Sequence, residues 1–590
     1  MASVSLSELP EELLRCILSF LPPETLARIE STSRHFRILA NDPLLWRQRC
    51  ITSFAYWEQD TSPFHKRLRG QHELSTIHDE QWKTECIHRL QQDRVAEECL
   101  ERVISKQQGR IDKMQKIAHC GYNVKEILVR NCQAPDTAED VLARRYWSLE
   151  ILNAMQRRKG IQVWSQATTP QISISLEDAL GAFDMFVLET REGDISDISA
   201  RLDQLATQLR VESPNIEEMS IRQRALEIAR FVRCQGLAGV RSEEDYHVLR
   251  NRFIGIALFD DEHQALPLIS VAIYCCVAQR LGVNAQPCSI PFHVYAIVTP
   301  GKGYNLDGKE MDSESQEDRM FMDPFRQDEE VAEDALKRLL NSIGAPTSTH
   351  EDFLGASSVV KVIFRNARNI ANAVQSGETN DPPRRSALSS WNTGLPDMDG
   401  SFYGALWSMI IFDPDNRRNY LHHIVQFFQE GFTVDVDLIE NTIFPMFNAS
   451  PERDAILSLI EEVRGRDRAA RPITRRTPDT INVKYRVGQK FEHRRYHYEG
   501  VIIGWDDRCR ASEAWMRQMN IDGLNQGRHQ SFYNVLVADK SNRYVAEENI
   551  NISTHEPSEA MMRLAGKYFK RWDQQTGAFI SNIRDEYPDD

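Results

Sequence analysis

Eleven cysteines, at 16, 50, 86, 99, 120, 132, 234, 275, 276, 288 and 509, are the side chains of this 590-residue chain best suited to nucleophilic or redox chemistry. A thiol reacts as its thiolate, so it needs a cationic neighbour or a helix N-terminus to lower its pKa. Their number is odd and no CxxC occurs, which points to free thiols in a reducing, intracellular compartment. Cys275 and Cys276 lie deep in the longest apolar run, Leu266 to Ala278, where a free Cys behaves as a small hydrophobe. His493 and His497 stand four apart, the spacing of a metal-binding pair on a helix. Their segment reads as strand and turn instead, and no thiol lies near in sequence. Zinc wants three or four such ligands, so no metal is expected. The chain has no Walker A loop, no dinucleotide-binding glycine fingerprint, no HExxH and no GxSxG, and no cofactor is expected.

The elements that must position these groups are set by a long, acidic chain. Lys and Arg number 71 against 86 Asp and Glu, a net charge of −15, and 41% of residues are hydrophobic. At roughly 150 residues per domain, the length suggests about four domains. Such a charge makes the whole protein a poor nucleic-acid binder, although a local basic patch is compatible with it. The run Leu266 to Ala278 is interrupted by Pro267 and Ser270 and is too short to span a bilayer, so it reads as a buried core helix. Glu11, Glu12 and Arg15 inside the first apolar stretch argue against a signal peptide.

Composition divides the chain. Residues 1–50 read as short helices and 51–170 as a helical linker region, with Trp82, Ile87, Leu90, Val95, Leu100, Val103 and Ile104 near helical spacing. Residues 171–350 form an apolar central domain that includes a strand-like run, His293 to Val298, followed by a polar loop at 301–319. Residues 351–475 read as a helical segment with a flexible linker at 375–397. Residues 481–555 alternate like strands, with turns at Gly488, Gly500 and Gly504. Residues 556–590 read as a C-terminal helix and tail, with Met561, Met562, Leu564, Tyr568, Phe569 and Trp572 on one amphipathic helix. The fold class is therefore multidomain and mainly α with α+β.

The opening residues Leu9-Pro10-Glu11-Glu12-Leu13-Leu14 begin a helix with a wide apolar stripe of Leu13, Leu14, Ile17, Leu18 and Leu21. Ser7 or Glu8 precedes that helix start, and Pro22-Pro23 stops the helix. Leu26, Ile29, Phe36 and Leu39 follow, and Trp46 closes the unit. So small a unit cannot bury that many large groups internally. The pattern resembles an F-box: LPxE/DLL, a second LP, the turn Ser31-Thr32-Ser33-Arg34 and the terminal Asp42-Pro43-Leu44-Leu45-Trp46. The resemblance implies docking onto the Skp adaptor of a cullin-RING ligase through Leu9, Pro10, Leu13, Leu14, Ile17, Leu18, Leu21 and Trp46, a helix face entering an apolar groove.

Residues 264–287, followed by Pro291-Phe292-His293-Val294-Tyr295 and Met322-Asp323-Pro324-Phe325, resemble a transglutaminase-like core of the SirB type. Residues 175–189 and Tyr246 with Arg250-Asn251-Arg252-Phe253 resemble it too. An active core of that fold needs a thiolate at a helix N-terminus, a His base and an orienting Asp. The resemblance places the His and Asp at His293 and Asp323, whereas the nucleophile position falls at or near Pro267. The nearest hydroxyl is Ser270. The central domain is thus expected to be inactive, with His293 and Asp323 as a relict pair. The alternative is an acyl-transfer or hydrolase site reshaped around Ser270 or Cys288 with His293.

Residues 484–552 resemble the YccV/HspQ domain, often labelled hemimethylated-DNA-binding, which implies a small β-barrel. The resemblance marks His493, Arg494, Tyr496, Trp505, Trp515, Tyr533, Tyr544, Glu547 and Asn549 as ligand-binding positions. Residues 483–553 hold 11 Lys/Arg against 9 Asp/Glu, a thin surplus for a phosphate-driven interface. Arginines 464, 466, 468, 471, 475 and 476 in the preceding joint could add a nonspecific anchor. Peptide recognition is favoured over DNA. The three resemblances in this order imply an F-box protein serving as the substrate-recognition subunit of an SCF-type ubiquitin ligase. Its partners would be the Skp adaptor, the cullin scaffold and a protein substrate, in the cytoplasm, the nucleus or both, and the chain would perform no catalysis. A chromatin-tethered factor acting through the last domain is the alternative partner reading.

Overall fold

The computed structural model describes residues 9–57, 81–169, 173–188, 193–288, 290–311, 318–376, 396–448, 450–480 and 482–590. Ser7 and Glu8, residues 312–317 of the polar loop and residues 377–395 of the expected linker lie outside them. The chain forms two compact units: Met1–Met155 with Ser450–Asp590, and Gln156–Ala449.

The first unit opens with four short helices, α1 (Glu11–Ser19), α2 (Pro23–Glu30), α3 (Arg34–Ala40) and α4 (Pro43–Ser53). Pro23 and Pro43 each start a helix, where the missing N–H costs nothing. Ser33 caps α3 by accepting the Phe36 N–H at 3.1 Å, and Asp42 caps α4 by accepting the Leu44 N–H at 2.9 Å. Leu14, Leu18, Leu26, Leu39, Leu45, Trp46 and Cys50 form their core. The long helix α5 (Gln81–Ser105) closes it with Trp82 and Cys86. On α5 Trp82, Leu100, Val103 and Ile104 are buried as their spacing predicts, and the buried face also takes Arg89 and Ala96, while Ile87 and Val95 point to solvent. Arg89 stays buried because Tyr56 and Asn123 accept its N–H groups and Phe54 and Trp57 flank the guanidinium. Helices α6 (Arg110–Ala118) and α7 (Lys125–Cys132) follow, and the chain passes to the second unit within α8 (Val141–Ala167).

The second unit is built around one helix. After α9 (Leu176–Asp184), α10 (Ile195–Glu212), α11 (Ile221–Cys234) and α12 (Ile254–Phe259), helix α13 (Pro267–Arg280) is buried without a break from Pro267 to Ala278. A helix apolar on every side belongs in a core, as the run Leu266 to Ala278 suggests. An antiparallel sheet follows: β1 (Asn284–Pro287), β2 (Ala296–Thr299), β3 (Met320–Met322) and β4 (Glu330–Val331), paired in that order. The strand read from His293 begins only at Ala296, and His293 to Tyr295 form its lead-in. Helices α14 (Glu333–Ser342), α15 (Val359–Ser376), α16 (Met398–Phe412) and α17 (Arg417–Gly431) complete the main elements of this unit.

The first unit resumes with α18 (Glu452–Arg468) and a five-stranded antiparallel sheet. Its strands are β5 (Lys490–His493), β6 (Glu499–Asp506), β7 (Phe532–Val537), β8 (Asn542–Ala546) and β9 (Ile550–Ile552), and α19 (Glu513–Gln518) lies between β6 and β7. The spatial order is β8-β7-β6-β5-β9, and a register shift between Ile502 and Gly504 bends β6. Strand β8 stops at Ala546, and Glu547–Asn549 make a turn of 3₁₀ helix before β9.

The tail differs from its sequence reading. Helix α20 covers only Glu559–Ala565, and Phe569 and Trp572 lie on a hairpin, β10 (Phe569–Asp573) with β11 (Ala578–Ser581). Cross-strand pairing with Phe579, 5.3 Å from the Phe569 ring and 4.8 Å from Trp572, outweighs the helical spacing. The hairpin joins the sheet domain at Gly488, whose carbonyl accepts the Phe579 N–H at 2.8 Å. Gly488 sits at φ +91°, and a Cβ there would fall 2.1 Å from the Phe579 carbonyl oxygen.

Candidate functional site

On the N-terminal helices the adaptor residues divide by burial. Pro10, Leu13 and Ile17 are exposed, and Leu9 and Leu21 are half-buried. Leu14, Leu18 and Trp46 belong to the core instead, because α2 to α5 supply apolar partners for that side of α1, and the Trp46 indole donates to the Ala40 carbonyl at 2.7 Å. Four apolar residues outside the expected adaptor set also face solvent on these helices: Phe20 (79% exposed), Ile38, Leu44 and Ile51. Their type was visible, but a stripe this wide does not say which edge of it lies outside.

In the second unit, α13 begins at Pro267, the position to which the resemblance assigns the nucleophile. Ser270, one turn in, is fully buried. It donates to the Ala265 carbonyl at 3.1 Å and accepts the Gly239 N–H at 3.2 Å. Burial pushes the Cys275 and Cys276 thiols well above their ordinary range. Cys288 faces the Leu354 carbonyl at 3.5 Å, and burial, partly opposed by Arg319 and Arg365, pushes its thiol up to about 12. The His293 Nε2 and Asp323 Oδ2 meet at 2.9 Å, both residues buried, with the rings of Tyr295 and Phe325 edge-on to the imidazole. Among the described residues no thiol or hydroxyl hydrogen-bonds to His293. The two residues that the resemblance pairs are thus in contact. Phe292, beside His293, is 85% exposed at φ +66°, a conformation nothing in its sequence neighbourhood signals.

Of the positions marked in the sheet domain, several do internal work. His493 is buried, and its Nδ1 accepts the N–H groups of Arg495 and Tyr496 at 3.1 Å each, shaping the β5–β6 turn. Burial, then the nearby Arg543 and Arg495, lower its pKa. His497 instead meets Glu492 at 2.8 Å, so the two histidines do not converge, and among the described residues no His, Cys, Asp and Glu group has metal-binding geometry. The buried Tyr533 hydroxyl accepts the Lys484 and Tyr485 N–H groups at 3.1 Å and donates to Glu547 at 3.1 Å. Tyr544 donates to Asp506 at 2.7 Å and packs 5.8 Å from Trp515. The Asn549 carbonyl accepts the Arg494 N–H at 2.8 Å. Buried Trp505 donates its indole N–H to Asp590 at 2.8 Å. Arg494 and Tyr496 are exposed, whereas Trp515, Tyr544, Glu547 and Asn549 are half-buried.

The basic joint is held by this unit's own acids. Arg464 and Arg468 meet Asp112 at 3.5 and 3.2 Å, Arg466 pairs with Glu462, Arg475 meets Asp589 at 3.4 Å and Arg476 meets Asp590 at 2.5 Å. Five of its six arginines thereby meet four acids of the same unit.

Three family models match the chain: F-box-like over residues 6–52, Transglutaminase-like superfamily over 196–368, and Hemimethylated DNA-binding protein YccV like over 483–576. The chain is also similar to proteins named F-box only protein 21. It is 26% identical to that of Pongo abelii over 447 residues, covering 73% of this chain and 65% of the relative. It is 25% identical to the Homo sapiens protein over 453 residues, with the same shares. The Mus musculus protein is 26% identical over 400 residues, 64% of this chain and 57% of the relative. The chain thus spans about 65% of the length of the first two relatives it matches. No solved structure matches it. Among the described residues, no helix is long and apolar enough to cross a membrane.

Proposed function

We propose that this chain is the substrate-recognition subunit of an SCF-type ubiquitin ligase. The F-box face binds the Skp adaptor, and through it the cullin, while the central and C-terminal domains hold a protein substrate. The observation that carries this reading is the exposure of Leu13, Ile17, Phe20, Ile38 and Leu44 on a helical unit whose core is already closed by α5. A core with its own partners has no use for a further apolar edge, and such an edge fits an adaptor groove. The F-box-like match over residues 6–52 supports the same assignment.

The work of such a subunit is positioning: it holds substrate lysines near a recruited conjugating enzyme and raises their effective concentration. No covalent step is assigned to the chain itself. Among the described residues, Pro267, a hydrogen-bonded Ser270 and thiols raised by burial offer His293 no nucleophile to activate. The decisive experiment is affinity purification of the intact chain and of a chain lacking residues 1–53, under proteasome inhibition. The intact chain should retain adaptor, cullin and ubiquitinated substrate, and the shortened chain should retain substrate alone. Adaptor retained by the shortened chain refutes the assignment.

A further inference from the structure

We infer that the pocket around Trp505 and Arg476 is a peptide-binding site for an acidic segment with an aromatic residue three positions before its buried aspartate, occupied in this chain by residues 586–590. Asp590 anchors that segment with a side chain only 2% exposed. Its Oδ2 accepts the Trp505 indole N–H at 2.8 Å and the Val487 N–H at 3.2 Å, and its Oδ1 accepts Arg476 Nε at 2.5 Å. A carboxylate this enclosed is stabilised by charge-assisted hydrogen bonds on both oxygens.

The receiving side is organised without help from the tail. The two other donor groups of Arg476 reach the Val483 and Tyr485 carbonyls at 2.8 Å each, and its guanidinium lies 5.3 Å from the Trp505 ring centre. These contacts fix the cation whether or not an acid is present, so a ligand meets a preorganised partner. Next to it, Gly504 leaves a slot. A Cβ there would stand 2.5 Å from the Tyr587 hydroxyl, and the Tyr587 ring lies 6.0 Å from that of Trp505. Main-chain contacts complete the grip: the Thr474 N–H donates to the Glu586 carbonyl at 2.7 Å and the Arg476 N–H to Asp589 at 2.9 Å. The Arg475 to Asp589 pair at 3.4 Å is more exposed and adds little.

The held segment resembles a ligand more than a core element. The neighbouring hairpin is anchored by Phe569 and Phe579, 0% and 3% exposed, whereas residues 586–590 attach through one tyrosine and a set of polar contacts. Tethered a few residues beyond the hairpin, the segment has an effective concentration in the millimolar range, and an incoming peptide of the same chemistry must displace it.

The test uses the full chain with Asp589→Ala and Asp590→Ala together, and a fluorescein-labelled peptide of residues 584–590 (RDEYPDD) followed by anisotropy. The double variant should melt with the wild type and bind the peptide at least tenfold more tightly. Adding Arg476→Ala should remove at least tenfold of that affinity, as should replacing the peptide's tyrosine by alanine. Binding no tighter than to the wild type, or insensitive to Arg476→Ala, overturns the proposal. So does unfolding of the double variant, which would make the segment a part of the fold.

Discussion

Leu13 and Leu14 are neighbours in α1, yet Leu13 is 52% exposed and Leu14 only 1%. Successive helix positions lie about 100° apart, so the stripe straddles the boundary between core and surface. The two residues therefore fail differently. Leu13→Asp with Ile17→Asp should reduce adaptor co-purification at least tenfold while the melting curve stays within a few degrees. Leu14→Asp places an unpaired carboxylate in a closed core, which costs about 3 kcal/mol or more, and should unfold the helical unit. Equal adaptor binding by the Leu13/Ile17 variant and the wild type would show that the exposed edge is not the contact.

Asp184 makes the central unit's stability depend on pH. It is fully buried at the end of α9, and its Oδ1 accepts the Ile256 N–H at 3.2 Å. Burial is the main cause that raises its carboxyl to about 8, from 3.8 in the unfolded chain. The sign follows directly. Between these values the folded state holds a proton that the unfolded state has lost, so the contribution of this group to stability is greatest below about pH 4 and declines as pH rises toward 8. The slope from this one group is at most roughly 1.4 kcal/mol per pH unit. Asp184→Asn should flatten it, narrowing the difference in melting temperature between pH 5.5 and pH 8. An unchanged difference would mean that another group sets the dependence.

Much of this organisation was legible locally. The Pro22-Pro23 break and the run that becomes α13 are decided by neighbours in sequence, and the structure places them where the sequence does. The pairing of His293 with Asp323 followed from the resemblance of their flanking residues. What was not legible depends on distant partners. Trp505 finds Asp590 85 residues away, and no local pattern marks that aspartate as its acceptor. The spacing of Tyr568, Phe569 and Trp572 suits a helix until Phe579 offers a strand partner. Ile87 and Val95 share helical spacing with buried neighbours, yet Arg89 takes an inner place because Asn123 and Tyr56 meet its charge.

The thiols give a direct chemical test of the central domain. Cys16 and Cys234 are exposed, while Cys275, Cys276 and Cys288 are buried. Only the thiolate attacks, and burial disfavours it at all three central positions. Native protein should therefore react with a disulfide reagent first at Cys16 and Cys234, with the three buried thiols reacting only on unfolding. His293→Ala should change no amidase or transglutaminase rate and should cost about 1–3 kcal/mol, because Asp323 is left buried with its partner removed. A fast-reacting central thiol, or turnover that disappears in His293→Ala with the fold intact, would restore the enzymatic reading.

Charge decides whether the last domain acts on DNA. Affinity for a duplex comes from neutralised phosphates, and the logarithm of the binding constant falls by about 0.9 per contact for each decade of salt. Residues 483–553 carry 11 basic against 9 acidic side chains, and the arginines at 464, 466, 468, 475 and 476 already meet Asp112, Glu462, Asp589 and Asp590. Arg494 and Arg495, exposed at the β5–β6 turn, support only a few contacts. Duplex binding by the full chain, hemimethylated or not, should thus be weak at 50 mM salt, show a slope no steeper than about −3, and vanish near 150 mM. Arg494→Ala with Arg495→Ala should lower it further without changing any preference for methylation. Binding that survives physiological salt and distinguishes hemimethylated from unmethylated duplex would instead require base contacts from half-buried residues such as Trp515 and Tyr544, and would shift the reading of this domain from peptide to DNA.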